Sequence, residues 1–181
     1  MEIKRVLIYG VTGSGKTTLA KRLAERTGIP WHSVDDLTWE PDWVQVPIPE
    51  QTRRIEAICS EESWILDTAY GHWLSVPLGA AQLIVTLDYP SWRSFGRLVW
   101  RTLRRIVDKS AICNGNHESL KTMLSSDSIL LWHFKSFQRK RDRMAQWAQS
   151  KSGPTVVRIQ TPKQLEDWIN SIEPGLRHLP L

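Results

Sequence analysis

Gly10-Val11-Thr12-Gly13-Ser14-Gly15-Lys16-Thr17 joins an apolar run, Ile3–Tyr9, to a segment, Lys16–Arg26, whose Leu19, Ala20, Leu23 and Ala24 share one helical face. The eight residues fit G-x-x-x-x-G-K-[ST], the phosphate-binding P-loop, in its required setting between a strand and a helix. Glycines let the backbone close around a polyphosphate with its N–H groups turned inward. The following helix adds the positive end of its dipole. The pattern assigns Gly10, Thr12, Gly13, Ser14, Gly15, Lys16, Thr17 and Thr18 to nucleotide phosphates. Lys16 is expected to reach the β- and γ-phosphates, and the Thr17 hydroxyl to bind Mg²⁺.

Outward from the loop, apolar β-rich runs alternate with helix-like segments, the pattern of an α/β domain with a parallel sheet. Expected strands are Ile3–Tyr9, Trp31–Val34, Trp64–Asp67, Leu83–Asp88 and Thr155–Ile159. Expected helices are Lys16–Arg26, Glu50–Ser60, Pro90–Val107, Ser128–Ala148 and Pro162–Ile172. On Pro90–Val107 the helical spacing puts Trp92, Phe95, Val99 and Ile106 on one apolar face. The stretch 109–127 lacks a period, carries the turn signal Asn114-Gly115-Asn116, and has the length of a functional lid. A single domain spans 1–181, with an acceptor-side segment at about 35–63.

The 181 residues are 41% hydrophobic and 24% charged, an ordinary globular balance. Val6–Tyr9 ends at Gly10 and meets Lys16, which is no signal-peptide core, and no run is long enough for a membrane span. Cys59 and Cys113 lack metal-ligand spacing and make no disulfide framework, so a reducing cytoplasm is the expected compartment. The net charge of +5 favours anionic partners.

Ligands of open parallel sheets gather at the carboxyl ends of the strands. Asp35, Asp67 and Asp88 stand at such ends. Trp64-Ile65-Leu66-Asp67 reads as a Walker B strand, with Asp67 on a Mg²⁺-bound water. Asp35 and Asp36 follow the second strand. Neighbours in a strand face opposite ways, so one of them, Asp35 first, would accept the proton of an attacking hydroxyl. A capping role for this pair stays open, and Asp88 reads as an element-ending residue.

Arg93, Arg97, Arg101 and Arg105 recur every four residues, with Arg104 beside the lid. Between 90 and 145 lie 12 basic and 4 acidic residues, so this stretch alone exceeds the whole-chain excess of 5. Phosphoryl transfer uses guanidinium groups on transition-state charge, and Arg101, Arg104 and Arg105 are the expected catalytic ones. Nucleic acid would draw on the same charges, but no recognised nucleic-acid motif accompanies them.

His32-Ser33-Val34-Asp35-Asp36-Leu37-Thr38-Trp39, Pro41-Asp42-Trp43-Val44, Trp64–Asp67, Leu87-Asp88-Tyr89-Pro90 and the arginine helix together resemble the P-loop kinase-like family of DNA-topology-modulation (FlaR-like) proteins, loosely grouped with adenylate-kinase-like P-loop NTPases. Asn114–Glu118 and Asp127–Trp132 look like that family's lid and exit helix. The resemblance implies a five-stranded parallel sheet ordered 2-3-1-4-5, and binding of ATP and Mg²⁺. It also implies an adenine contact at Gln160-Thr161-Pro162. The chain departs from it at Asp67-Thr68-Ala69-Tyr70, where relatives read Asp-Gly-Asn-Tyr.

Together these readings describe a P-loop kinase that passes the γ-phosphate of Mg-ATP to a small-molecule or nucleotide acceptor, by preference at a hydroxyl. The alternative is a nucleotide-dependent regulatory or DNA-associated P-loop ATPase.

Overall fold

The computed structural model describes residues 2–68, 71–108, 111–112, 114–117, 129–150 and 152–172, of which 111, 112, 117 and 129–132 are described as backbone only. Strands β1 (Arg5–Gly10), β2 (Trp31–Ser33), β3 (Trp64–Thr68) and β4 (Leu83–Leu87) alternate with helices. The helices are α1 (Lys16–Thr27), α2 (Val34–Thr38), α3 (Ile48–Cys59), α4 (Ser75–Ala80) and α5 (Ser91–Asp108). A short hairpin follows, β5 (Ala111–Ile112) and β6 (Asn116–His117). Helix α6 (Ile129–Gln149), strand β7 (Thr155–Ile159) and helix α7 (Pro162–Asn170) complete the order.

β2, β3, β1, β4 and β7 form one parallel sheet in that order, the expected 2-3-1-4-5 arrangement with β7 as fifth strand. Alternation along the strands separates two cores. Val6 and Ile8 join Leu19, Leu23, Ile159 and Ile169 beneath α1 and α7. Leu7 and Tyr9 join Ile55, Trp73, Leu74 and Met144 beneath α3, α4 and α6. Helices thus cover both faces of a sheet whose central strands are apolar throughout. Trimming a residue such as Leu7 to alanine removes about 2–5 kcal/mol. No helix among the described residues is long and apolar enough to cross a membrane.

The expected helix and strand boundaries hold to within two residues, but α2 and α4 were not expected. Both are short, at five and six residues, and short helices carry little periodicity. Asp35 and Asp36 accordingly sit in the first turn of α2, not in a strand. Ser33 is the cap, its Oγ accepting from the Asp36 amide at 3.4 Å. The α5 face also differs from the expected one. Ser94, Leu98 and Thr102 point inward, while Trp92 is 68% and Trp100 70% exposed. The cause is the loop beneath: a Cβ on Gly13 would collide with the Ser94 carbonyl oxygen and lie 2.9 Å from Leu98 Cβ. Backbone approach this close selects small residues over tryptophan.

Candidate functional site

The loop 10–17 leaves the carboxyl end of β1 and caps α1 with Gly15. Gly13 (φ 81°) and Gly15 (φ 98°) occupy left-handed backbone that disfavours any side chain. Ser14 donates its amide to Val11 O at 3.2 Å, and Lys16 Nζ donates to the same oxygen at 3.1 Å. Thr12 is half-buried and Thr18 exposed at the rim.

Thr17 Oγ1 donates to Asp67 Oδ2 at 2.6 Å. The other carboxylate oxygen accepts from Trp31 Nε1 at 3.3 Å and the Val34 amide at 3.4 Å. Burial raises the Asp67 pKa, opposed by the Thr17 bond and by Lys16. Burial lowers that of Lys16, opposed by Asp67 and then Asp35. Thr17 and Asp67 are a hard oxygen pair beside the phosphate loop, which fits Mg²⁺. That ion takes few protein ligands and completes its shell with phosphate and water. Among the described residues no three His, Cys, Asp or Glu gather as a metal cage.

Asp35 is exposed and close enough to Lys16 to act on its charge. The expected arginines divide. Arg101 is half-buried, and its charge adds to the depression of the Lys16 pKa. Arg104 stands in solvent and pairs with Asp108 on its own helix at 3.2 Å. Arg105 is half-buried in the last turn of α5. Arg97 Nη1 reaches Ser14 O at 3.4 Å, and its guanidinium lies 5.5 Å from the Tyr89 ring centre.

Asp88 stands at the end of β4, as expected, and is also an anchor. Its side chain is buried, and Arg158 of β7 holds Oδ2 at 2.9 and 2.5 Å. Arg141 of α6 approaches Oδ1 at 3.3 Å. The Gln160 and Thr161 amides, expected near adenine, donate instead to Gln164 Oε1 at 2.8 and 3.0 Å in a capping box.

At the segment expected to face an acceptor, Asn114 Nδ2 donates to Asp36 O at 2.8 Å and Trp39 O at 2.7 Å. Asn116 Nδ2 donates to Glu40 O at 2.9 Å, and the Trp43 amide donates to Asn116 Oδ1 at 2.6 Å. This hairpin is the described part of the expected lid 109–127; residues 109–110, 113 and 118–127 lie outside the described residues, as do Ala69 and Tyr70. Trp73, one of the aromatic residues near this side, is core, with Nε1 on Gln51 Oε1 at 3.0 Å.

One residue escapes a reading by charge alone. His133, Ser136, Lys140 and Met144 form the buried stripe of α6. The spacing of three, four and four was visible in the sequence, but the run Arg139–Arg143 reads as a solvated basic face. Lys140 is 3% exposed, and its Nζ has no hydrogen-bond partner among the described residues.

Three solved structures share this fold. A shikimate kinase from Acinetobacter baumannii in complex with shikimate is 15% identical, covering 94% of this chain and 90% of that one, with TM-score 0.57. A gluconokinase from Sinorhizobium meliloti 1021 is 13% identical over 93% and 89%, with TM-score 0.54. An unliganded sugar kinase from Janibacter sp. HTCC2649 is 17% identical over 91% of each chain, with TM-score 0.50. No family model and no curated protein matches the chain. The fold is therefore that of P-loop kinases, and the narrower FlaR-like resemblance rests on the sequence motifs alone.

Proposed function

We propose that the chain is a cytoplasmic phosphotransferase that binds Mg-ATP on Gly10–Thr18 and phosphorylates a hydroxyl of a small-molecule or nucleotide acceptor. The observation that carries this reading is the meeting of Lys16, the Thr17–Asp67 pair and Asp35 at one end of the sheet. The three solved kinases of the same fold support the reaction class.

In this reading Lys16 holds the β- and γ-phosphates, and Thr17 and Asp67 are the residues that would hold Mg²⁺. Bound Mg²⁺ would neutralise phosphate charge. Asp35 accepts the proton of the acceptor hydroxyl. The acceptor oxygen forms its bond to the γ-phosphorus as the bond to the β,γ-bridging oxygen breaks, and ADP leaves with that electron pair. Arg101 stabilises the charge spread over the transferring group. The hairpin held by Asn114 and Asn116 keeps water from the acceptor.

Asp35→Asn tests the chemistry directly. In an ATP-consumption screen across nucleosides, nucleoside monophosphates, sugars and sugar acids, the wild type accelerates with its acceptor. The variant loses about 10²–10⁴ of that rate, the contribution of a positioned general base, and keeps its ATP affinity. Full transfer activity in the variant defeats the assignment of Asp35. A DNA-associated ATPase would instead respond to DNA and ignore every metabolite.

A further inference from the structure

Helix α6 packs on β1, and one contact fixes where. Arg143 Nη1 donates to Tyr9 Oη at 3.2 Å, and Tyr9 is the residue before the phosphate loop begins. Lys140 lies one turn earlier on the same side of the helix. Its side chain is buried, and its ammonium meets no hydrogen-bond acceptor among the described residues. Elsewhere on this inward stripe His133 is met on one side, Nε2 lying 2.8 Å from Ser94 Oγ, while its Nδ1 has no hydrogen-bond partner among the described residues. Burying an unpaired ammonium is expensive, and a methionine would pack there without that penalty.

The charges around Lys140 sharpen the point. Lys16, Arg139 and Arg143 act on it as like charges, and Asp35 is the opposing carboxylate. Burial first, and then these cations, bring its pKa down to about 7. ATP phosphates account for Lys16, and the acceptor hydroxyl accounts for Asp35. Lys140 and Arg143 remain, Lys140 in the field of Lys16 and Asp35, and Arg143 on Tyr9 of β1.

We infer that Lys140 and Arg143 form an anion subsite for the acceptor, so that the molecule phosphorylated carries a carboxylate or a phosphate group besides its hydroxyl. The inference rests on the phosphotransfer reading above. It supplies the acceptor's missing chemistry: a neutral sugar or nucleoside leaves both cations uncompensated, whereas a hydroxy acid or a phosphate monoester pairs them.

The test fills the phosphate loop first. With the full chain saturated by Mg²⁺ and the non-hydrolysable analogue AMP-PNP, inorganic phosphate and malonate are titrated separately at pH 6.5 by calorimetry. NMR of ¹³C-labelled lysine follows the Lys140 ammonium in parallel. The wild type is expected to bind one of these anions, with the Lys140 signal showing a raised pKa. Lys140→Met is expected to weaken that binding at least tenfold while AMP-PNP still binds. Arg143→Gln, expected to weaken it severalfold, serves the same purpose if Lys140→Met does not fold. Tighter phosphate than malonate identifies a phosphate monoester, and the reverse a hydroxy acid. No second anion bound beside AMP-PNP overturns the inference and leaves the kinase reading standing, as does equal binding by the variants. Failure of the wild type to bind AMP-PNP removes the kinase reading and this inference with it.

Discussion

The phosphate loop and the basic helices approach the same point by opposite routes. The loop is contiguous in sequence, and its charged and hydroxyl groups find partners close by, Lys16 on Val11 O and Thr17 on Asp67, whose other oxygen accepts from Trp31 and Val34, while Ser14 Oγ has none among the described residues. The basic side comes from α5 and α6, dozens of residues away. It delivers Arg97, Arg101, Lys140 and Arg143 to a region where Lys140 lacks any hydrogen-bond partner among the described residues. One region is organised by its own hydrogen bonds, and the other awaits compensation from a bound anion. A motif can therefore announce the first, whereas only tertiary packing assembles the second.

If that contrast is right, the largest effect belongs to the basic side and appears in rate. Arg101→Ala should lower kcat about 10³-fold or more, the scale of an arginine acting on a transferring phosphoryl group, with little change in the KM for ATP. Arg101→Lys should recover only part of this, because a point charge cannot replace the planar fork. Arg104→Ala, whose side chain is tied to Asp108 in solvent, should change kcat less than twofold. Comparable losses at Arg101 and Arg104 would erase the distinction between an inward and an outward arginine.

Next comes the loop itself. Lys16→Ala should reduce turnover about 10²–10³-fold, as loss of one preorganised donor does, and should weaken nucleotide binding as well. The ligand-free melting temperature should stay unchanged or rise, because the variant no longer desolvates an ammonium. Unaltered ATP affinity together with unaltered turnover would remove the loop from the site.

The smallest effect is a pH slope in stability. Folded Lys140 releases its proton near pH 7, whereas an unfolded lysine keeps it to about 10.4. Between those values the unfolded chain binds more protons, so stability should rise with pH, by at most about 1.4 kcal/mol per pH unit from this group. Lys16 facing it, with Arg139, Arg143 and Asp35, sets the same field, and burial tilts Lys16 in the same direction. Denaturant titrations at pH 7 and 9 should therefore show a shallower slope for Lys140→Met than for wild type. Identical slopes would mean that Lys140 is solvated.

The sheet was legible because its central strands are compact apolar runs and α1, α3, α5, α6 and α7 are long enough to show a period, whereas α4, between β3 and β4, is not. Asp67 was legible for the same reason, standing at the end of such a run. Asp35 was legible as a residue but not in its setting: α2 is too short to reveal itself, so neighbours read as opposite faces of a strand are consecutive positions of one helical turn. Lys140 was hidden by its company. Four cations from Arg139 to Arg143 surround one acid, and only the approach of α6 to β1 separates the buried one from the solvated ones. Asp88 was legible at the end of β4 but not as an anchor, because its partners, Arg141 and Arg158, are distant in sequence.

The hairpin's grip on residues 36–43 gives the molecule a clock. Four hydrogen bonds tie Asn114 and Asn116 to residues 36–43, and at about 1 kcal/mol each they would hold the two pieces together for all but a small fraction of the time. The Trp43 amide is sealed by one of them. At a pH high enough for chemical exchange to outpace reclosing, its exchange with solvent deuterium ticks once for each parting of hairpin and segment. If molecules enter and leave by that parting, the exchange rate is also the fastest pace at which they can pass.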